Sequence, residues 1–221
     1  FLDDDAVADS HLFEKILASY HMDEALGVAG GMIDLELPDP APVWMSESLW
    51  PYWSNYHPEG DSGSSLDDWK TFPYGANWSA RRDGLLAIGG FRTAYGRNGT
   101  LVDAGEETVA AMLMQKAGYK VAAVAGARVT HKVDRTRFTL HNLLRTVRGG
   151  YDIAIQQELD HYVAFELSPL GLLVHGVKRL GRMLRPFRSP LSQRVQDFAI
   201  MAGCFHCALQ LMRIQLGRFG K

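Results

Sequence analysis

Two groups of carboxylates are the residues of this sequence best suited to chemistry. The chain begins FLDDD (residues 1–5), and a second acidic pair, Glu106 and Glu107, opens a predicted helix. Two apolar residues before three acids indicate a strand end, where residues i and i+2 point the same way. Asp3 and Asp5 could therefore converge on one hard cation such as Mg²⁺ or Mn²⁺. A solvated acidic turn would have the same composition.

The glutamate pair and His131 are the other two candidates for chemistry, and each could instead have a purely structural role. Acids at a helix start are favoured by the helix dipole, but a carboxylate such as Glu107 facing a cleft could also take a proton from a sugar hydroxyl. His131 ends an apolar strand. Its imidazole could be a ligand for the same cation, or simply a polar side chain with a protein partner.

The hydrophobic periodicity predicts the elements that must position these residues. The segments are a helix at 7–21, strands at 28–37 and 72–77, helices at 81–88 and 106–116, one or two strands at 119–133, a helix at 138–163 broken at Gly149-Gly150, and helical segments from 169 to 221. Strands alternating with helices predict an α/β protein with a helical C-terminal extension.

The composition excludes a disordered or coiled-coil chain, since 47% of the 221 residues are hydrophobic. The charge is unevenly distributed. Residues 1–169 hold 14 Lys and Arg against 24 Asp and Glu, whereas residues 170–221 hold 9 against one. An acidic front suits a bound cation or a neutral polar substrate, and a basic rear suits an anionic surface.

The rear of the chain combines a basic stretch at 178–194 with an apolar run at 198–212. The run is shorter than the roughly 20 residues of a membrane-spanning helix. This predicts peripheral membrane contact through 178–216; a helical subdomain packed on the rest of the chain is the alternative. A nucleic-acid partner is excluded, because no recognisable module accompanies the basic stretch.

From its first residue to about residue 150 the chain resembles the family 2 glycosyltransferases of the GT-A fold, which implies a mixed sheet flanked by helices. The resemblance is carried by FLDDD, GANWSARR (75–82) followed by IGGF (88–91), GEE (105–107), and His131 with RFT (137–139). The GEE motif and the GRNG loop (96–99) before it are similar to bacterial, notably cyanobacterial, exopolysaccharide enzymes.

The resemblance implies a role for each matching residue. Asp3, Asp5 and His131 would hold the divalent metal, Mn²⁺ or Mg²⁺, and Glu107 would be the catalytic base. Glu107 stands where most of the family has Asp, so its carboxylate reaches one methylene further. The substrate-binding residues would be Asp4, Asn77, Trp78, Glu106 and Arg137.

The implied function is inverting, metal-dependent transfer of a sugar from a nucleotide-sugar donor to a polysaccharide or lipid-linked acceptor, in the cytoplasm at the inner face of the cell membrane. Residues 1–150 would be the catalytic and acceptor part and 151–221 the helical extension. The family's N-terminal nucleotide-binding half has no counterpart here, which predicts a fragment. A non-catalytic module that binds sugars or docks to a membrane is the alternative, and a metal-dependent phosphohydrolase is a third hypothesis.

Overall fold

The computed structural model describes residues 1–58, 63, 65–96, 105–162, 168–184 and 189–219. Residues 97–99 of the GRNG loop and the basic residues Arg185 and Arg188 lie outside the described residues. The strands are β1 (Ala6–Ala8), β2 (Leu26–Leu35), β3 (Trp78–Ala80) and β4 (Lys120–His131). The α-helices are α1 (Leu12–Met22), α2 (Arg82–Ala87), α3 (Glu106–Lys116), α4 (Leu140–Leu159), α5 (Pro169–Met183) and α6 (Leu191–Phe219). The predicted α/β class with a mixed sheet is confirmed.

The four strands form one sheet in the order β1-β4-β2-β3. The central pair β2 and β4 is parallel, and both edge strands run antiparallel to their neighbours. Other elements cover the central strands, so Leu26–Gly31 of β2 and Val121–Val124 of β4 are apolar and buried, as expected for a parallel pair. Helices α1 and α3 both pack against these two strands, and the core beside α1 includes Leu12, Ile16, Ala29 and Ile33.

The parallel pairing of β2 and β4 is interrupted at its middle. Gly31 lies opposite Val124, whereas the next residue, Met32, lies opposite Arg128. Asn77 fills this interruption, because its Nδ2 donates to the backbone carbonyls of Met32 and Ala127, each at 3.1 Å. A single side-chain amide therefore satisfies two backbone groups that the strand pairing leaves free.

The chain divides into two compact units. The first comprises Phe1–Leu37, Trp53–Gly96 and Ala104–Asp134, and the second comprises Pro38–Tyr52, Arg97–Asp103 and Arg135–Lys221. The sheet and helices α1 to α3 belong to the first unit, and α4 to α6 to the second. The functional division at residue 150 stays a prediction.

Three predicted elements are wrong. The helix expected at 7–21 begins only at Leu12, because Ala6–Ala8 form β1 by antiparallel pairing with the end of β4. The strand expected at 72–77 is irregular, and the paired strand follows it as β3, because antiparallel bonding to Val28–Gly30 selects residues 78–80. The break expected at Gly149-Gly150 is absent, since α4 is continuous through it. Gly149 is buried within the helix, so tertiary packing outweighs the low helix propensity of glycine.

In the second unit α6 packs against both α4 and α5. It has 29 residues, about twice the length of the apolar run seen in the sequence. Its segment Leu191–Leu216 is long and apolar enough to cross a membrane, and 28% of the most apolar window is buried inside the protein. This comparison uses only the length and composition of the helix, and the core helix of a soluble protein can have the same length and composition.

Candidate active site

Asp3, Asp5 and His131 form one cluster, in which one ligand atom from each side chain lies within 4.8 Å of the others. The chain makes a turn after Leu2, with the Ala6 amide donating to the Asp3 carbonyl at 3.1 Å. Strand β1 then pairs with the end of β4, where Ala6 lies opposite His131. The two aspartates therefore converge through a turn and not through the strand alternation expected from the sequence.

The imidazole of His131 is held at both nitrogens. Nδ1 lies 3.0 Å from the carbonyl oxygen of Trp53, and Nε2 lies 3.0 Å from Asp5 Oδ1. Because a carbonyl can only accept, Nδ1 must carry the proton and donate it. In the neutral ring Nε2 then presents a lone pair toward a carboxylate oxygen, which is repulsive. A positive charge between Nε2 and Asp5 Oδ1, either a bound cation or a second proton on the ring, would remove this repulsion.

The donor set fits a divalent cation of the magnesium or manganese type. Two carboxylates and an imidazole suit Mn²⁺ and related ions, and Mg²⁺ accepts carboxylates with water or phosphate in its other positions. Adjacent ligands of an octahedral ion are about 3 Å apart, which is the distance between His131 Nε2 and Asp5 Oδ1. A backbone carbonyl on the other ring nitrogen is also the usual support of a metal-binding histidine. The same distance also suits a hydrogen bond, so the metal stays a prediction.

Glu107 lies in the first turn of α3, and its carboxylate is largely buried against Gly75. Burial raises the pKa of Glu107 to about 7, with further upward contributions from the charges of Glu106 and Asp3. Hydrogen bonds from backbone amides, including that of Gly75, act in the opposite direction. A carboxylate with a pKa near 7 is suited to accept a proton at neutral pH.

A cavity of about 400 Å³ joins the aspartate segment to this glutamate pair. Asp3, Glu106 and Glu107 all contribute to its wall. Its remaining lining comes from Phe1, Leu2, Gly75, Trp78, Phe91, Arg92, Thr93 and Gly96. The spatial expectation that the opening acids and the glutamates of α3 face one space is thus confirmed for Asp3, Glu106 and Glu107.

Two polar atoms of the cavity-lining residues are buried and have no hydrogen-bond partner among the described residues. They are Nε1 of Trp78 and Oε2 of Glu106. Trp78 is only 2% exposed, and buried polar atoms without partners are uncommon in folded proteins. One atom is a donor and the other an acceptor, but both are closed to solvent, so a molecule in the cavity would reach them only after a side-chain movement.

The remaining predicted substrate residues lie elsewhere. The Asn77 side chain is 3% exposed and donates to two backbone carbonyls of the sheet, so the structure gives it a structural role, and its substrate contact stays a prediction. Asp4 is exposed and belongs neither to the acidic cluster nor to the cavity lining. Arg137 lies in a short 3₁₀ helix of the second unit, and its contact with a diphosphate stays a prediction.

Two lining residues, Arg92 and Thr93, were not predicted from the sequence, whereas Phe91 beside them belongs to the IGGF motif. Phe91 contacts Trp78 with ring centroids 5.6 Å apart. Arg92 brings a cation into a predominantly acidic cavity. Their position directly after Gly89-Gly90 could have indicated this, because paired glycines favour a sharp turn. Both glycines do have positive φ in the structure.

No protein-family model matches the chain. The chain is similar to the glucosyl-dolichyl phosphate glucuronosyltransferase of Haloferax volcanii, with 28% identity over 209 residues. The match covers 91% of this chain and spans 65% of that protein's length. The similarity supports a glycosyltransferase but not the bacterial exopolysaccharide subgroup, because this relative is named for a dolichyl phosphate-linked sugar. The mixed sheet with flanking helices is consistent with a GT-A-like glycosyltransferase.

Proposed function

We propose that the protein carrying this chain transfers a sugar from a nucleotide-sugar donor to a lipid-linked acceptor, with inversion at the anomeric carbon. The observation that carries the proposal is the shared cavity, in which Glu107 with its raised pKa faces the same space as Asp3. The similarity to an enzyme acting on a dolichyl phosphate-linked sugar favours a lipid-linked acceptor over a free polysaccharide. The same similarity favours a reaction at a membrane surface, and we propose that this surface is the cytoplasmic one.

Glu107 is the proposed general base. It would accept the proton of the acceptor hydroxyl while that oxygen attacks the anomeric carbon and the sugar–phosphate bond breaks on the opposite side. Its burial keeps the carboxylate basic enough to take this proton at neutral pH. The first turn of α3 points backbone amides toward the carboxylate, which limits how far burial can raise the pKa.

Asp3, Asp5 and His131 are the proposed holders of a divalent ion. Such an ion supplies charge compensation for the departing nucleoside diphosphate. The carbonyl of Trp53 fixes the His131 ring so that Nε2 faces Asp5. The side chains themselves need little reorganisation to bind, because the distance between these two atoms already suits adjacent ligands.

Trp78 and Glu106 are proposed to recognise the acceptor sugar. After a side-chain movement that exposes these buried atoms, the indole N–H would donate to one hydroxyl oxygen, and Glu106 Oε2, which has no partner among the described residues, would accept from a second hydroxyl. The aromatic group formed by Phe1, Trp78 and Phe91, with ring centroids 5.2–5.6 Å apart, offers an apolar wall for the sugar face. Arg92 could hold an anionic group of the acceptor, such as its phosphate.

The test measures nucleoside diphosphate release from a panel of nucleotide sugars, with Mn²⁺ or Mg²⁺ and a polyprenyl phosphate-linked glucose as acceptor. Glu107→Gln should lower turnover about 10²–10⁴-fold while donor binding persists, because only proton abstraction is lost. Asp83→Asn is the matched control, since Asp83 also lies in the first turn of a helix but is exposed outside the cavity. Unchanged turnover of Glu107→Gln would contradict the proposed base, and the absence of transfer from every donor would favour a binding module.

A further inference from the structure

Helix α5 exposes a continuous apolar stripe. Leu170, Val174 and Val177 recur at intervals of four and three residues, which places them on one face of the helix, and Leu184 follows in line with them immediately after the helix ends. These side chains are between 46% and 70% exposed. Their exposure together, in a unit that has its own apolar core, calls for an apolar partner.

The other face of α5 is fixed against α6, so the stripe cannot turn inward. Leu172 is fully buried, and a side chain at Gly176 would meet the ring of Phe205 at 2.9 Å. Arg179 Nη1 also donates to Asp197 Oδ1 at 2.8 Å, and Asp197 is 1% exposed. Close packing and a buried ion pair therefore set the rotation of α5 about its axis.

The stripe is bordered by cations. Lys178 lies one helical turn beyond Val174, and Arg182 lies one turn beyond Lys178; both are exposed. The only acidic residue in the sequence after residue 169 is Asp197, which is buried and paired with Arg179. This surface is thus apolar and positively charged, with no exposed carboxylate on α5 or in the described part of α6.

We propose that α5 lies in the plane of an anionic lipid membrane, with the stripe at the acyl boundary and Lys178 and Arg182 at the phosphate groups. Charge complementarity selects this occupant, because anionic lipid offers apolar chains and negative charge side by side. A second copy of the chain would place the same cations next to each other. The 15 residues of α5 extend only about 22 Å, less than the hydrocarbon thickness, so this helix lies on the membrane and does not cross it.

The experiment is co-sedimentation of the purified protein with vesicles of phosphatidylcholine, alone or with about one third phosphatidylglycerol. The parent protein should bind the anionic vesicles. Lys178→Gln with Arg182→Gln should weaken binding roughly 30-fold, since each basic residue at such a surface contributes about one kcal/mol. Val174→Ser with Val177→Ser should weaken it more than about tenfold by removing apolar contact.

The matched control is Phe13→Ser with Leu17→Ser on α1, a pair of equally exposed apolar residues one turn apart in the first unit. It should leave binding unchanged. Circular dichroism and thermal melting confirm that each variant folds, which is expected because all substituted side chains are exposed. Equal binding by the α5 variants and the parent would overturn the proposal. So would binding that ignores anionic lipid, or an equal loss in the α1 control. None of these outcomes depends on sugar transfer, so the inference stands or falls separately from the proposed activity.

Discussion

At the scale of single residues, the position of Glu107 balances two opposing requirements. Burial destabilises its charged form and raises its pKa to about 7, while the charges of Glu106 and Asp3 act in the same direction. A proton acceptor with a raised pKa is useful for catalysis, but the burial that raises the pKa costs stability. Two measurements on this residue can separate these effects.

The rate of transfer should rise with pH and reach half its maximum near pH 7. The reason is that Glu107 accepts a proton only when it is ionised, and the ionised fraction increases through its pKa of about 7. A pH–kcat profile under saturating donor and acceptor checks this. A profile already flat between pH 5 and 8 would contradict the role of Glu107, and the residual activity of Glu107→Gln should lack this ascending limb.

Glu107→Gln should stabilise the fold at pH 8. The folded-state pKa is raised above the ordinary value of 4.5, so the folded protein binds more protons than the unfolded chain between these values. Its stability therefore falls as pH rises through that window. Removing the charge should recover about 1–3 kcal/mol at pH 8 and little at pH 4. Urea denaturation at both values measures the difference, and an equal effect at the two pH values would contradict the shifted pKa.

Asn77→Ala should destabilise the protein by about 2–4 kcal/mol, since it leaves the carbonyls of Met32 and Ala127 without a partner. Asn55→Ala is the control, because the Asn55 side chain accepts one longer bond, 3.3 Å from the Leu35 amide, and should cost about 1 kcal/mol or less. Urea midpoints compare the two. A large rise in acceptor KM with no loss of stability would instead support the substrate role predicted from the sequence.

The sequence could predict those site residues that belong to a recognisable local pattern. Acids at a turn and at a helix start are visible in the sequence, and Asp3 and Glu107 do share a cavity. The burial that changes the pKa of Glu107 is a tertiary effect. The interruption between Gly31 and Met32 in β2 is likewise a property of two paired strands, so no local pattern could assign the Asn77 amide to it.

At the scale of elements, the sequence predicted the bounds of a helix correctly where residues typical of helix ends occur at both of its ends. Helix α3 runs from Glu106 to Lys116 as predicted, with acids in its first turn and Gly118 at a φ of 94° after its end. The two glycines inside α4 suggested a break, but a side chain at Gly203 of α6 would overlap the ring of Tyr151, so close packing holds α4 straight there. The helix propensity of the residues therefore determines where an exposed helix ends, whereas tertiary packing determines whether a buried helix continues through glycines.

The ion pair between α5 and α6 yields the prediction that belongs to this scale. Arg179→Met should cost about 3–5 kcal/mol, because it leaves the buried carboxylate of Asp197 without its cation. Arg179→Met combined with Asp197→Leu should recover much of the loss. The control is Lys120→Met, whose ion pair with Asp23 is exposed to solvent and should contribute far less to stability. Urea denaturation measures all three, and equal costs for the two single variants would contradict a buried pair.

At the scale of the whole molecule, the acidic cluster joins segments that are distant along the chain. Asp5 and His131 are 126 residues apart in sequence and are brought together by the pairing of β1 with β4. An unfolded chain cannot hold these ligands near each other. A cation bound there therefore favours the folded state, and its effect on stability reports on the site without any need for activity.

Mn²⁺ should raise the melting temperature of the protein, with a gain in stability of about 2.7 kcal/mol when its concentration is one hundred times the dissociation constant. Asp5→Asn should abolish the shift, since it removes the carboxylate nearest to His131 Nε2. Asp4→Asn should retain the full shift, because Asp4 is exposed and outside the cluster. Differential scanning calorimetry with and without Mn²⁺ makes the comparison. An equal shift in the parent and both variants would place the ion elsewhere, and no shift in the parent at millimolar Mn²⁺ would leave His131 and Asp5 as a hydrogen-bonded pair that stabilises the end of β4.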